Sequence, residues 1–408
     1  MRILLSAFAC EAGRGSEPGI GWTWASGLAR AGHEVWVITH SAGREANERA
    51  CATMGLAGKL HFVFYDHDHF PKFFTKTHLG YYTYCQTWQV GAYRVAKRLH
   101  ARLQFDTVHH VTFGTARFGS LMGRLGIPFT FGPVAGGERI PWRLRRSLPL
   151  TGKVRELVRD LHNLLCLVQP FTRQAFASAQ RILVTNPETL RLVPGRYRGK
   201  CKVQFGIAAD VSSHARRSAP GRTGGPFRAL YVGVLQSRKG IHLALSAFAK
   251  FHHNCPNSEF TIVGRGVQEK WLRELAGRLG LNRCVHWVPW MPREKVLEIY
   301  GSHDVFLFPS LRDSGGMVVL EALANGLPVI CLDLGGPGMI VDDSCGRVVS
   351  TCAASEEDVI GAIASQLLAL ARDAELREHL SRGALQRVQS FRWATLIDSV
   401  YAGGVPAQ

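Results

Sequence analysis

At 408 residues the chain is longer than one hydrophobic core usually supports, which predicts two domains of roughly 200 residues each. Its 46% hydrophobic composition fits ordinary globular packing, and no apolar run approaches the roughly 18–20 residues of a membrane span, so residues 1–10 read as a buried first strand rather than a leader. The net charge of +18 is uneven: residues 1–210 hold 28 Lys and Arg against 13 Asp and Glu, residues 211–408 hold 21 against 18, and so large a basic excess in one half favours a polyanionic partner.

The ten cysteines are scattered, with no Cys-x-x-Cys pair and no zinc-like spacing, which predicts reduced, mostly buried thiols in a cytoplasmic protein. Residues 3–8 form an apolar run, 13–21 a Gly-rich loop, 22–31 a helix and 34–39 the next strand, a unit of the kind that builds parallel sheets. Further strands are predicted at residues 60–65, 107–111, 129–131 and 181–184. Residues 211–226, rich in Ser, Arg, Gly and Pro, read as a linker between a first domain at 1–210 and a second at 227–390. Beyond it, strands at 229–232, 260–263, 285–288, 305–308 and 328–332 alternate with helical stretches. The fold class is therefore α/β: two Rossmann-like, doubly wound domains facing across a cleft, with ligands at the C-terminal ends of the strands.

The most informative segment is 309–330, PSLRDSGGMVVLEALANGLPVI. A strand ends at Phe308, the loop carries Asp313, Gly315 and Gly316, and a helix begins near Met317 with Glu321 about one turn inside it. Glycines admit a ligand to the backbone, the free N–H groups of a helix start favour phosphate or sugar oxygens, and two carboxylates suit a polyol such as ribose or hexose. A second segment, 230–240, LYVGVLQSRKG, leads from a strand through Gly233 to Arg238, Lys239 and Gly240. Adjacent fixed cations at a strand end can clamp a diphosphate.

Together the two segments resemble the family 4 glycosyltransferases, retaining enzymes of the two-domain GT-B architecture. That family carries a Gly-rich turn ending in Lys-Gly and, further on, two acids separated by seven residues before an Ala-x-Gly-x-Pro-Val tail. Here the acids are Asp313, one methylene shorter than the usual Glu, and Glu321, and the tail is Asn325-Gly326-Leu327-Pro328-Val329. The resemblance implies that Lys239 holds a donor diphosphate, Asp313 faces the transferred sugar, Glu321 binds ribose, and Gly316 and Met317 offer backbone N–H groups. Val234 stands where the family usually has Arg, so Arg238 is expected to supply the second positive charge. Val288, Pro289 and Met291 correspond to the strand end that lines the base. No metal or other cofactor is expected, because fixed cations and helix N-termini can neutralise the leaving diphosphate.

In the first half, CEAGRGSEPGIGW at 10–22 occupies the place of the family's N-terminal Gly-rich loop. The resemblance puts Gly19 and Gly21 under the donor and Glu17 towards the acceptor. FDTVHHVTFG at 105–114 resembles the strand ending in a histidine near the anomeric carbon. Alternation lets one of His109 and His110 face the cleft, and His110 is taken as catalytic. FGPVAGGE at 131–138 places Gly136 and Glu138 on the acceptor rim. Asp66-His67-Asp68-His69 imitates a metal site but reads as a polar loop after a strand.

Residues 139–159 interleave Arg139, Arg143, Arg145, Arg146, Lys153, Arg155 and Arg159 with apolar side chains, a pattern suited to the interface of an anionic membrane. Residues 391–408 resemble the stretch where such chains cross back to the first domain. The expected reaction is hexose transfer from a nucleoside diphosphate sugar to a hydroxyl of a glycan or lipid-linked glycan, at the cytoplasmic face of a membrane. A sugar-nucleotide epimerase of the same architecture is the alternative among enzymes, and a basic nucleic-acid-binding protein is the alternative from another class. Nucleic acid is not an expected partner, since the basic residues form no recognisable nucleic-acid motif.

Overall fold

A computed structural model describes residues 1–67, 78–166, 169–208, 225–289 and 291–401. They form two compact units, Met1–Gly137 with Asp160–Ile207 and Trp393–Gln408, and Glu138–Arg159 with Ala208–Arg392.

In the first unit the chain runs β1 (Arg2–Ser6), α1 (Ser16–Arg30), β2 (Glu34–Thr39), α2 (Arg44–Thr53), β3 (Leu60–Phe64), α3 (His78–Leu103), β4 (Thr107–His110) and β5 (Phe129–Val134). It takes in the end of α4 (Leu150–Cys166), whose residues 150–159 belong to the second unit, and continues through α5 (Pro170–Ser178), β6 (Arg181–Val184), α6 (Pro187–Leu192) and β7 (Cys201–Val203). The sheet is parallel, in the order β3-β2-β1-β4-β5-β6-β7. Its central strands are covered on both faces, so they read as unbroken apolar runs such as the fully buried Ile3, Leu4 and Leu5.

The second unit follows with β8 (Phe227–Val232), α7 (Ile241–Asn254), β9 (Ser258–Val263), α8 (Glu269–Arg278), β10 (Val285–Val288), α9 (Arg293–Tyr300) and β11 (Val305–Phe308). Then come α10 (Met317–Ala324), β12 (Val329–Leu332), α11 (Gly335–Ile340), β13 (Gly346–Val349), α12 (Glu356–Arg372) and α13 (Ala374–Arg387). Its parallel order is β10-β9-β8-β11-β12-β13. Phe306 and Phe308 are fully buried, and a phenylalanine so placed contributes about 1.5–3 kcal/mol.

Last comes α14 (Trp393–Tyr401), which belongs to the first unit. It lies close on α1: Trp393 meets Trp24 edge-on at 6.2 Å, and a Cβ on Gly27 would stand 2.1 Å from Ile397 Cδ1.

Three expectations change. The segment Glu138–Arg159, assigned from sequence to the first domain, groups with the second, where its Glu156 pairs with Arg312. Helix α1 begins at Ser16 rather than residue 22, so Gly19 and Gly21 are helical and not in a loop. Strands β7 and β13 were not foreseen. Of the expected linker at 211–226, residues 211–224 lie outside the described residues, as do 402–408 of the C-terminal segment.

Candidate active site

In a doubly wound sheet, ligands bind where successive connections diverge to opposite sides. In the second unit that point lies between β8 and β11, and the loops leaving these strands are joined by several contacts. The β8 loop ends in a single turn at Ser237–Lys239 closed by Gly240 at φ +67°, where a Cβ would stand 1.9 Å from Pro309 O. Arg238 O accepts from Arg312 N at 3.1 Å and from Ser310 Oγ at 3.2 Å. The turn thereby carries Lys239 to Asp313, and Lys239 Nζ forms an ion pair with Asp313 Oδ2 that is largely shielded from solvent.

The other carboxylate oxygen, Asp313 Oδ1, accepts from Gly315 N at 3.1 Å and Gly316 N at 3.2 Å. Burial works against the ionised form, but Lys239, Arg238 and the Gly315 N–H together hold the Asp313 carboxyl below its usual value. Gly316, at φ +81°, opens α10. The first N–H groups of a helix have no partner within it, so an anion is favoured at the α10 start, where Met317 and Val318 follow Gly316. Arg238 is oriented by Gln236 Oε1 at 3.0 Å and reaches Arg312 O at 3.4 Å. Glu321 is half-buried, with the buried Tyr300 hydroxyl 3.3 Å from its Oε2.

Two further glycine pairs shape this rim and were missed from sequence. A Cβ on Gly335, at φ +58°, would stand 2.1 Å from Asp313 O, while Gly336 N donates to that same oxygen at 2.8 Å. A Cβ on Gly264 would stand 2.0 Å from Gly233 O, and one on Gly266 would stand 2.2 Å from Leu235 O. Gly233 itself is at φ +155° and donates to Val263 O at 3.0 Å. Val288 O accepts from Gly264 N at 3.0 Å, followed by exposed Pro289 and half-buried Met291. Because β9 separates β10 from β8, this edge lies two strand spacings, about 10 Å, to one side of the cations.

The first unit's divergence point lies between β1 and β4. Glu17 in α1 accepts from Phe113 N at 3.0 Å, and burial raises its carboxyl pKa against that hydrogen bond. The absent Cβ atoms of Gly19 and Gly21 would stand 2.1 Å from Arg14 O and Ala9 O, so what comes close on that side of each glycine is the chain's own backbone. His109 is fully buried, with Nδ1 2.8 Å from the Tyr401 hydroxyl and Nε2 2.7 Å from Gly132 O. Both its ring nitrogens are engaged, which removes it from an acceptor-binding role. His110 is also buried, packs on Phe131 and has no hydrogen-bond partner at Nδ1 among the described residues. Gly136 O accepts from Arg117 Nη2 at 3.3 Å. In the second unit Glu138 is buried against Arg159 at 3.6 Å, which takes its carboxylate away from an acceptor.

Asp66 accepts from Ser41 N at 2.9 Å, whereas Asp68 and His69 lie outside the described residues. Among the described residues no group of three or more His, Cys, Asp or Glu side chains could hold a metal ion.

Residues 213–387 match the family described as "Glycosyl transferases group 1". This segment is similar to the group 1 glycosyltransferases. The chain is 32% identical over 173 residues to a glycogen synthase of Mycobacterium tuberculosis, covering 42% of this chain and 41% of that protein. It is 33% identical over 181 residues to a D-inositol 3-phosphate glycosyltransferase of Acidothermus cellulolyticus, covering 42% and 39%. Each match thus spans about two fifths of the length of the curated relative. Sucrose-phosphate synthase from Thermosynechococcus elongatus has the same fold, with a TM-score of 0.67 at 17% identity over 98% of this chain and 97% of that one. Anabaena HepE in complex with UDP and glucose gives a TM-score of 0.64 at 14% identity over 99% of both chains. At these identities the likeness establishes the two-domain GT-B fold alone.

The second unit brings together Gly233, Arg238, Lys239, Asp313, Gly315, Gly316, Met317 and Glu321 on neighbouring strand ends and the helix start beside them. Sequence also gave no sign of the Glu156–Arg312 ion pair of 2.8 Å, which ties the start of α4 to the residue before Asp313. Its partners are 156 residues apart in the chain, and only the fold joins them.

Proposed function

We propose that the chain is a retaining glycosyltransferase that moves a hexose from a nucleoside diphosphate sugar to a hydroxyl of a glycan or lipid-linked glycan. The observation that carries this reading is the shielded Lys239–Asp313 pair at the divergence point of a segment similar to the group 1 glycosyltransferases, beside the start of α10. On donor binding a phosphate oxygen takes the place of the carboxylate as the partner of the Lys239 ammonium, so the cation is never left unpaired. Lys239, Arg238 and the Met317 and Val318 N–H groups then face the diphosphate, while Asp313 is released towards hydroxyls of the sugar. Glu321 takes the ribose, and the Val288, Pro289 and Met291 edge takes the base.

In the step itself the bond from the anomeric carbon to the phosphate oxygen breaks as the acceptor oxygen bonds to the same face of that carbon. The acceptor proton passes to the departing phosphate oxygen. Charge grows on the diphosphate, and the two cations stabilise it there. His110 is the histidine assigned to the sugar side. UDP-glucose is the first donor to try, because HepE, of the same fold, binds UDP and glucose.

Incubation with a panel of nucleotide-sugars and glycan or glycolipid acceptors tests the proposal. Release of free nucleoside diphosphate with retained anomeric configuration is the expected result. A new nucleotide-sugar with no diphosphate released would instead indicate epimerisation.

A further inference from the structure

Helix α4 is built inside out. Its inward face, Gly152, Glu156, Arg159 and Asn163, follows a helical spacing and is polar. Glu156 pairs with Arg312 at 2.8 Å, Arg159 with Glu138 at 3.6 Å, and Asn163 Oδ1 accepts from Arg117 Nε at 2.7 Å. The opposite face carries Val154, Leu157, Val158, Leu161, Leu164 and Leu165, each between 51% and 64% exposed. At 3.6 residues per turn these side chains fall within an arc of about 120°, a continuous stripe. An ordinary surface helix turns such a stripe to the core, and here it is turned to solvent.

The exposed charge of this stretch of chain is of one sign. Every exposed charged side chain described from Arg139 to Arg173 is basic: Arg139, Arg143, Arg146, Lys153, Arg155 and Arg173. The acids of this stretch are buried or half-buried, Glu156 and Asp160. Lys153 and Arg155 flank the apolar arc on its two sides. Two copies of this face pressed together would bring like charges together, and a neutral apolar partner would leave them unanswered.

We propose that α4 docks on an anionic lipid bilayer, with its aliphatic stripe in the headgroup region and its basic flanks on the lipid phosphates. A helix that is apolar on one face and cationic along its edges is the form that lies in such an interface. It does not cross the bilayer: no helix of the described residues is long and apolar enough to do so. The proposal is independent of the donor-site reading, since it rests on the outer face of α4 alone.

Co-sedimentation with phosphatidylcholine vesicles, with and without phosphatidylglycerol, tests it. The expected result is binding to the anionic vesicles, weakened by salt, and none to the neutral ones. Leu157→Ser with Leu161→Ser is expected to weaken binding by about tenfold or more. Lys153→Glu with Arg155→Glu is expected to weaken binding to the anionic vesicles and reduce its salt dependence. Both double variants change exposed side chains, so an unchanged melting temperature and unchanged stabilisation by nucleotide-sugar are expected in each. The proposal is overturned by absence of binding, by equal binding to both vesicles, or by full binding of the serine variant. Concentration-dependent self-association that the serine variant abolishes would overturn it in favour of a second copy on this face. Loss of nucleotide-sugar turnover with vesicle binding intact would count against the donor-site reading only.

Discussion

Lys239 and Asp313 neutralise one another in the second unit, and removing one leaves the other shielded from water without its partner. Lys239→Ala is expected to lower stability by about 3 kcal/mol, with part of the loss recovered when Asp313→Ala is added, as read by denaturant unfolding. Glu321→Gln is expected to leave the fold intact and raise the donor KM by about tenfold or more, the worth of a charged hydrogen bond. The effect should shrink for a donor lacking the ribose hydroxyls. The buried histidines predict a pH effect. Burial lowers the pKa of His109 from 6.5 to about 3, and those of His110 and His242 to about 4. Below pH 6.5 the unfolded chain takes up protons on these groups that the folded chain refuses. Stability is therefore full above that pH and falls towards pH 4, by about 1.4 kcal/mol per pH unit for each histidine. A melting series over this range checks the slope, and His242→Leu should reduce it by one proton's share. Lys239, Asp313 and Glu321 stand out in sequence through the resemblance of their two segments to one family rather than through spacing alone, and the fold brings Lys239 and Asp313 together. The roles of Gly19 and Gly21 were not legible there, because a glycine shows that something comes close without showing whether it is a ligand or the chain itself.

At the scale of elements, the alternation of apolar runs and helical stretches gave most strands to within a residue or two, since strands covered on both faces are continuous hydrophobic segments. The missed strands are short and partly exposed: β7 shows two of its three residues to solvent, and β13 is half-buried at Arg347 and Val348. The early start of α1 was hidden by its Pro18, Gly19 and Gly21, which read as loop. In α4 the amphipathic pattern was visible, but a period does not say which face looks outward. That was set by Glu156 and Arg159 finding Arg312 and Glu138. Gly335→Ala tests the packing of the donor rim. Its Cβ would meet Asp313 O and its φ of +58° disfavours any side chain, so donor affinity is expected to fall by about tenfold or more, read by nucleotide-sugar titration.

For the whole molecule, the two-unit organisation followed from length and from the restart of the strand pattern after residue 226. The membership of Glu138–Arg159 in the second unit did not, because the contacts that join it there, such as Glu156 with Arg312, are between residues distant in sequence. The central claim is that the second unit binds and activates a nucleotide-sugar. The most direct test measures nucleoside diphosphate release from a panel of nucleotide-sugars by the wild-type chain and by Lys239→Ala, with correct folding of both checked by melting. The account predicts turnover of at least one donor by the wild type and a loss of about a hundredfold in the variant. Equal turnover of every accepted donor by the two proteins, or no turnover and no binding of any donor by the wild type, would contradict it.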